Sequence, residues 1–320
     1  MIENKMRVFT GRANPTLATR IAAQLGDSLG EMAVSTFPDG ETFVRILEDV
    51  RGRDVFIIQP TCDRVNDNLM ELLIILDAFK RASPMRLTVV LPYYAYARQD
   101  RKDQGRVPIS AKLVANLLTA AGAHRVLAMD LHAPQIQGFF DIPVDHLMAS
   151  PVFINFLKEW NPPMDQVVFL SPDEGRVKST LHYQNRLGGN LAIVDKRRSD
   201  AMHTTQANLI GADLKDKIVL MFDDMISTAG SICGAAAVAK ANGAREIHVF
   251  ATHGVLCGEA IPRLEKSAIE RVIITDTIPL PPEKQIDKIT VLSVDKLLAD
   301  AIRRIHENES VSVLFRDDKG

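Results

Sequence analysis

Short apolar runs rich in β-branched residues alternate along this chain with longer stretches whose apolar positions recur every three to four residues. MRVFTG precedes a helical pattern over Pro15–Leu25, DVFIIQ precedes one over Asn68–Arg81, and LTVVLPYY precedes one over Ser110–Ala121, after which RVLAMDL follows. A second series comes later: QVVFLSP, NLAIVD, KIVLMF, EIHVFATHG and RVIITDT. Alternating strand and helix periods describe βαβ units, in which parallel strands are buried beneath helices. The pattern therefore predicts an α/β protein with two mainly parallel sheets.

The two series carry an internal repeat. SAKLVANLLTAAGAHRVLAMDLHA, starting at Ser110, lies over SICGAAAVAKANGAREIHVFATHG, starting at Ser231, in one register. It aligns Ser110 with Ser231, Gly122 with Gly243, Ala123 with Ala244 and His132 with His253. Serine, helix, Gly-Ala turn, strand and histidine in step imply duplicated domains. Pro143, Pro151, Pro162 and Pro163 punctuate the intervening stretch and place the boundary near Met148–Pro151, giving domains 1–149 and 150–320.

Composition narrows the picture further. The 320 residues are 46% hydrophobic, enough for a substantial core in each of two domains. Lys and Arg total 38 against 40 acids, so a net charge of -2 offers no general field for nucleic acid, and any phosphate affinity must be local. Cys62, Cys233 and Cys257 lie far apart without a C-x-x-C pair, which predicts buried free thiols in a reducing, cytoplasmic setting. No stretch has the length and apolarity of a membrane span, so a soluble protein is expected.

The densest chemistry lies in IVLMFDDMISTAGS, residues 218–231. Ile218–Phe222 reads as a buried strand, Asp223 and Asp224 stand at its carboxyl end, and a small-residue turn opens into a helix over Cys233–Ala241. Ser227, Thr228, Gly230 and Ser231 allow backbone N–H groups to approach a phosphate at a helix N-terminus. The carboxylates can accept from vicinal ribose hydroxyls or hold a hydrated Mg²⁺. The plainer alternative makes the pair an N-terminal helix cap. No GxxxxGK[ST] loop is present, so a nucleotide would need another device.

Other segments fit a nucleotide site less specifically. Arg98, Gln99, Asp100, Arg101 and Lys102 follow a strand, where a guanidinium can fork onto phosphate and a glutamine can reach a purine edge; a solvated charged loop is the alternative. Pro38-Asp39-Gly40 alone is an ordinary turn. His132 and Asp173 end apolar strands and can orient a hydrated cation, although a core histidine bonded to backbone is the simpler reading of His132 on its own. Lys196, Arg197 and Arg198 open a polar stretch to about Gly211, either a wet surface or a cationic loop that closes over phosphates.

Taken together, FPDGE (37–41), VRGRDVFIIQ (50–59), NDNLMELLIILDAFKRAS (66–83), PYYAYARQDRK (92–102), DLHAPQIQGFF (130–140), SPDEG (171–175), VDKRR (194–198) and the 218–231 string resemble the ribose-phosphate diphosphokinase family of phosphoribosyltransferase-fold proteins. The resemblance spans nearly the whole chain. It implies two tandem, duplicated phosphoribosyltransferase-like domains, with ATP motifs in the first and a ribose 5-phosphate site in the second. The tail near 305–320 would pack back on the first domain, VSVLF at 311–315 forming a returning strand. The implied reaction moves the β,γ-diphosphoryl group of ATP to the 1-hydroxyl of ribose 5-phosphate, with Mg²⁺ as cofactor.

By the same resemblance, Phe37, Asp39, Gly40 and Glu41, from a neighbouring subunit, and Arg98 and Gln99 bind ATP. His132 and Asp173 hold the metal, and Lys196 and Arg198 are catalytic. Arg198, Asp223, Asp224, Ser227, Thr228, Ala229, Gly230 and Ser231 bind ribose 5-phosphate. A homo-oligomer, a hexamer in the family, is implied, with no nucleic-acid or membrane partner. A non-catalytic regulatory paralogue and a phosphoribosyltransferase that consumes the activated sugar are the rival classes. One departure stands out: Gly175 is followed by Arg176 where the family usually has a second glycine, a substitution expected to strain any loop that needs positive φ there.

Overall fold

The computed structural model describes residues 5–197 and 206–315. The chain divides into two compact units, one comprising residues 1–149, 277–279 and 293–320, the other 150–276 and 280–292.

The first unit begins with β1 (Met6–Thr10) and α1 (Pro15–Gln24), whose N-terminus is capped by Asn14 Oδ1 accepting from the Leu17 N–H at 3.2 Å. A separate antiparallel hairpin, β2 (Met32–Thr36) and β3 (Thr42–Ile46), follows. The frame continues with β4 (Asp54–Ile58), α2 (Val65–Ala82), β5 (Arg86–Leu91), α3 (Ser110–Ala121), β6 (Arg125–Met129) and β7 (Val144–Leu147). These strands form an all-parallel sheet in the order β1-β4-β5-β6-β7. Every residue of β4 is buried, as a strand covered on both faces requires. Phe9 of β1 meets Phe79 of α2 edge to face at 4.7 Å, joining sheet to helix within the core.

The second unit contains α4 (Ser150–Trp160), β8 (Val167–Ser171), α5 (Val177–Leu187), β9 (Asn190–Arg197), β10 (Gln206–Gly211), β11 (Ile218–Ile226), α6 (Gly230–Ala241), β12 (Glu246–Gly254), α7 (Ala260–Lys266), β13 (Arg271–Thr275) and β14 (Ile289–Leu292). Its sheet runs β10-β9-β8-β11-β12-β13-β14, parallel except for β10. Phe222 of β11 stacks on Tyr183 of α5 at 3.7 Å and on Phe250 of β12 at 4.7 Å. That stack fixes α5 against the strand carrying the aspartates.

The units share the inner order β5-β6-β7 and β11-β12-β13, each with a helix between its first two strands, so the duplicated α/β fold expected from the repeat is present. They differ outside it. The strand beyond β4 is β1, which precedes it in the chain, whereas the strand beyond β8 is β9, which follows it.

Several expectations need correction. The chain rejoins the first unit at Ser293, earlier than the expected 305, because α8 (Asp295–His306) is strongly amphipathic and packs on α1. Buried Leu298, Ala301 and Ile302 line its inner face, and Arg303 Nη2 donates to the Gln24 carbonyl at 3.0 Å. Residues 311–314 form a 3₁₀ turn and not a returning strand. Part of the polar stretch after Arg198 is a strand, since β10 pairs with β9. Only Cys62 is fully buried; Cys233 is half-buried and Cys257 exposed, though all three are free thiols.

Asp54 anchors the return segment. It is completely buried at the start of β4, where the Arg86 guanidinium grips both its oxygens, Nε to Oδ1 at 2.8 Å, and His306 Nδ1 lies 2.8 Å from Oδ2. Arg86 also donates to the Ile305 carbonyl at 2.8 Å, tying the end of α8 to two central strands.

Candidate active site

The Asp223–Asp224 pair lies within β11, which continues to Ile226 and not just to Phe222 as the apolar run suggested. Asp223 pairs with Ala251 and Met225 with His253 on β12, so the ladder continues past the acid pair. Residues 227–229 then turn directly into α6. Ala229 takes the N-cap position at φ 60, a left-handed conformation, and supplies no side-chain cap. The cap residue of α6 therefore contributes no side-chain hydrogen bond to the first amides, a helix N-terminus of the kind that suits an anion. The helix-cap alternative for the Asp pair does not match this geometry, because the cap residue is Ala229.

The turn is braced from outside the motif. Cys257 N–H donates to the Ser227 carbonyl at 3.0 Å, Leu256 N–H to the Ile226 carbonyl at 2.9 Å, and Ser227 Oγ lies 3.3 Å from Cys257 Sγ. Arg263 of α7 donates from Nη1 to the Thr228 carbonyl at 2.9 Å. Nothing in the local sequence around Arg263 signals this role, since the contact joins positions far apart in the chain.

Asp173 sits two residues past β8 in extended backbone. Its Oδ1 accepts the Arg176 N–H at 3.1 Å, and Ser171 Oγ donates to its carbonyl at 2.7 Å. Arg176 then crosses to β11: Nε reaches Asp223 Oδ1 at 2.8 Å and Nη2 pairs with Asp224 Oδ1. Asp173, Arg176, Asp223 and Asp224 thus form one cluster inside the second unit. Its backbone is unstrained, because Arg176 has φ -98, so the expected cost of a non-glycine residue at this position is absent. Burial pushes Asp223 up to about 7; the Arg176 charge opposes that rise and the adjacent Asp224 adds to it.

The motifs assigned to ATP lie in the first unit. Phe37, Asp39, Gly40 and Glu41 form the tip of the β2–β3 hairpin, where Phe37 N–H donates to the Glu41 carbonyl at 2.8 Å, Glu41 N–H to Asp39 Oδ1 at 3.2 Å, and Gly40 adopts φ 97. Phe37 is 48% exposed, with its ring 5.5 Å from that of Phe43. Arg98 and Gln99 are exposed in the 92–109 connection, and Ser110 Oγ donates to Gln99 Oε1 at 2.5 Å. His132 lies beyond β6, which ends at Met129, in a half-buried loop shaped by Asp130 at φ 37. Leu131 N–H donates to His146 Nε2 at 2.9 Å, and Asp130 Oδ2 accepts the Ala149 N–H at 3.0 Å. The Lys196 backbone belongs to β9, paired with Ala207; its side chain, and Arg198 altogether, lie outside the described residues.

A twofold α/β frame in which a strand-end acid pair runs into an uncapped helix defines a protein of the phosphoribosyltransferase-like class. Residues 6–122 match the N-terminal domain of ribose phosphate pyrophosphokinase, and residues 169–316 match the phosphoribosyl synthetase-associated domain. A ribose-phosphate pyrophosphokinase of Rhodopirellula baltica is 56% identical over 98% of this chain and 99% of its own length; one from Caldanaerobacter subterraneus is 55% identical over 98% of each. The crystal structure of phosphoribosylpyrophosphate synthetase from Mycobacterium smegmatis superposes with a TM-score of 0.89 at 43% identity, covering 95% of this chain and 99% of that one. The chain belongs to the ribose-phosphate pyrophosphokinase family.

Proposed function

We propose that this chain is an active, Mg²⁺-dependent ribose-phosphate pyrophosphokinase, which uses ATP and ribose 5-phosphate to make 5-phosphoribosyl 1-diphosphate and AMP. The observation that carries the reading is the acid pair of β11 running through the Ser227–Ala229 turn into the uncapped start of α6. Full-length relatives bearing the name of the enzyme favour catalysis over a regulatory paralogue.

In this reading the 5-phosphate sits on the amides and hydroxyls of 227–231, while Asp223 and Asp224 accept from the ribose hydroxyls. A sugar held at both ends is oriented before reaction, which removes much of the entropic part of the barrier. Its 1-hydroxyl attacks the β-phosphorus of ATP and gives up its proton to solvent; the bond to the α,β-bridging oxygen breaks, and its electron pair leaves on AMP. Lys196 and Arg198 stabilise charge accumulating on the transferred and leaving oxygens.

Asp173 suits a hard cation: one oxygen caps the Arg176 amide, and the other has no partner among the described residues. With His132 it would hold Mg²⁺, which supplies charge neutralisation on the triphosphate. Phe37, Asp39, Gly40 and Glu41, on an exposed hairpin tip, would contact the adenine of a neighbouring subunit's ATP together with Arg98 and Gln99. That arrangement requires a homo-oligomer, a hexamer in this proposal. A cytoplasmic location follows from the chemistry of the substrates; among the described residues no helix is long and apolar enough to cross a membrane.

The test is stoichiometric. Purified protein with ATP, ribose 5-phosphate and Mg²⁺ should release one AMP per sugar diphosphate formed; nucleotide binding without AMP release would make the chain a regulatory paralogue.

A further inference from the structure

The carboxylates assigned to the sugar already have an occupant. Arg176 presents two neighbouring N–H donors, Nε and Nη2, to Oδ1 of Asp223 and Oδ1 of Asp224. A ribose ring offers the same pattern, two adjacent hydroxyl donors on a rigid edge, so the guanidinium fork is a donor-for-donor match for a cis-diol. We propose that Arg176 is a resident competitor for the ribose diol, and that ribose 5-phosphate binds by displacing its side chain from the two aspartates. The proposal rests on the reading of Asp223 and Asp224 as diol acceptors.

Three features fit an exchanging side chain on a fixed base. The backbone of Arg176 is pinned: its N–H donates to Asp173 Oδ1, and its carbonyl accepts from Ser179 Oγ and Thr180 Oγ1, both at 2.9 Å. Its conformation at φ -98 and ψ 0 asks nothing unusual of the chain, so the side chain can leave while the turn stays. The guanidinium is 24% exposed, against 18% and 8% for the two carboxylates, which leaves it a path to solvent. In its absence the two largely buried carboxylates would lose this cation, a costly change for an empty site. Arg176 therefore stabilises the unliganded pocket at the expense of sugar affinity.

The experiment is calorimetric titration of ribose 5-phosphate without nucleotide, at one fixed pH for every variant. Arg176→Ala should tighten binding by about ten-fold, the equivalent of one 1.4 kcal/mol step, and Arg176→Lys should fall between, since an ammonium cannot span both acceptors. Free guanidinium chloride at low millimolar concentration should weaken ribose 5-phosphate binding to Arg176→Ala and leave the wild type unaffected. Thermal melts of both variants confirm folding, and Arg176→Lys retains the charge should Arg176→Ala melt early. Unchanged or weaker sugar binding by folded Arg176→Ala would overturn the competitor role and make Arg176 a sugar or phosphate contact. Asp223→Ala separates the two layers: if it leaves sugar affinity intact, the diol reading itself fails, whereas lost affinity there with no gain in Arg176→Ala rejects only the displacement.

Discussion

The segments Ser110–Ala133 and Ser231–Gly254 share a helix, a Gly-Ala turn and a strand, yet they are entered and left differently. The approach to α3 is the long 92–109 connection, which ends with Ile109 at φ -109; the approach to α6 is residues 227–229 alone, ending with Ala229 at φ 60. At the far end His132 falls in a half-buried loop beyond β6, whereas His253 remains inside β12 and is 1% exposed. Duplication preserved the packed frame, and the two ends of that frame diverged. Neither cap residue supplies a side-chain bond, so the two helix starts differ in what leads to them: a tight small-residue turn at α6 and a long connection carrying exposed cations at α3.

The largest effect should come from outside both segments. Arg86→Ala would leave Asp54 buried without its cation and should cost about 3–5 kcal/mol in urea unfolding, the usual penalty for breaking a buried pair from one side. Because His306 and Ile305 share that network, the loss should appear in the first unit, read as faster amide exchange in β4 and α8. Next comes Lys196→Ala, expected to lower kcat by about 100- to 1,000-fold with ATP affinity largely kept. A parallel loss of binding would make Lys196 a ground-state contact.

Asp223→Ala should raise the ribose 5-phosphate KM by about 10- to 100-fold, as expected for a lost charged acceptor. The conservative Asp223→Asn adds a pH test. Burial raises the folded Asp223 value to about 7, so between the ordinary carboxylate range and that value the folded chain holds a proton the unfolded chain has lost. Stability therefore declines as pH rises through this window, and Asp223→Asn should flatten the decline. An unaltered slope of melting temperature against pH would remove Asp223 as its source. The smallest effect tests the two entrances directly. Ala229→Val places a β-branched residue at positive φ and should cost about 1–2 kcal/mol, while Ile109→Val at negative φ should cost about 1 kcal/mol or less. Equal costs would mean that the two helix starts do not differ in backbone demand.

How much of this was legible in the sequence depends on the range of the interaction. Ser110–Ala121 was readable to the residue as α3, and β4, β8 and β11 were visible as apolar runs, because burial on both faces leaves a continuous signal. The edge strands β2, β3, β7, β10 and β14 leave little mark in the sequence: they are short, and most of them half-exposed, so neither alternation nor apolarity marks them clearly. Within the site, Asp223, Asp224 and the turn could be read as one local string. Arg176 was visible only as a departure from a glycine, since its partners lie across the sheet on another strand. Arg263 had no signal at all.

The return of α8 to the first unit has a consequence for biosynthesis. The second unit is threaded as an insertion between residues 149 and 293 of its neighbour, apart from the short 277–279 visit. The half that leaves the ribosome first must therefore wait, lacking the helix that covers α1 and the carbonyl that Arg86 requires, until the second unit and then α8 have been translated. The later half has its whole sheet in hand sooner, so the order of synthesis and the order of completion run in opposite directions.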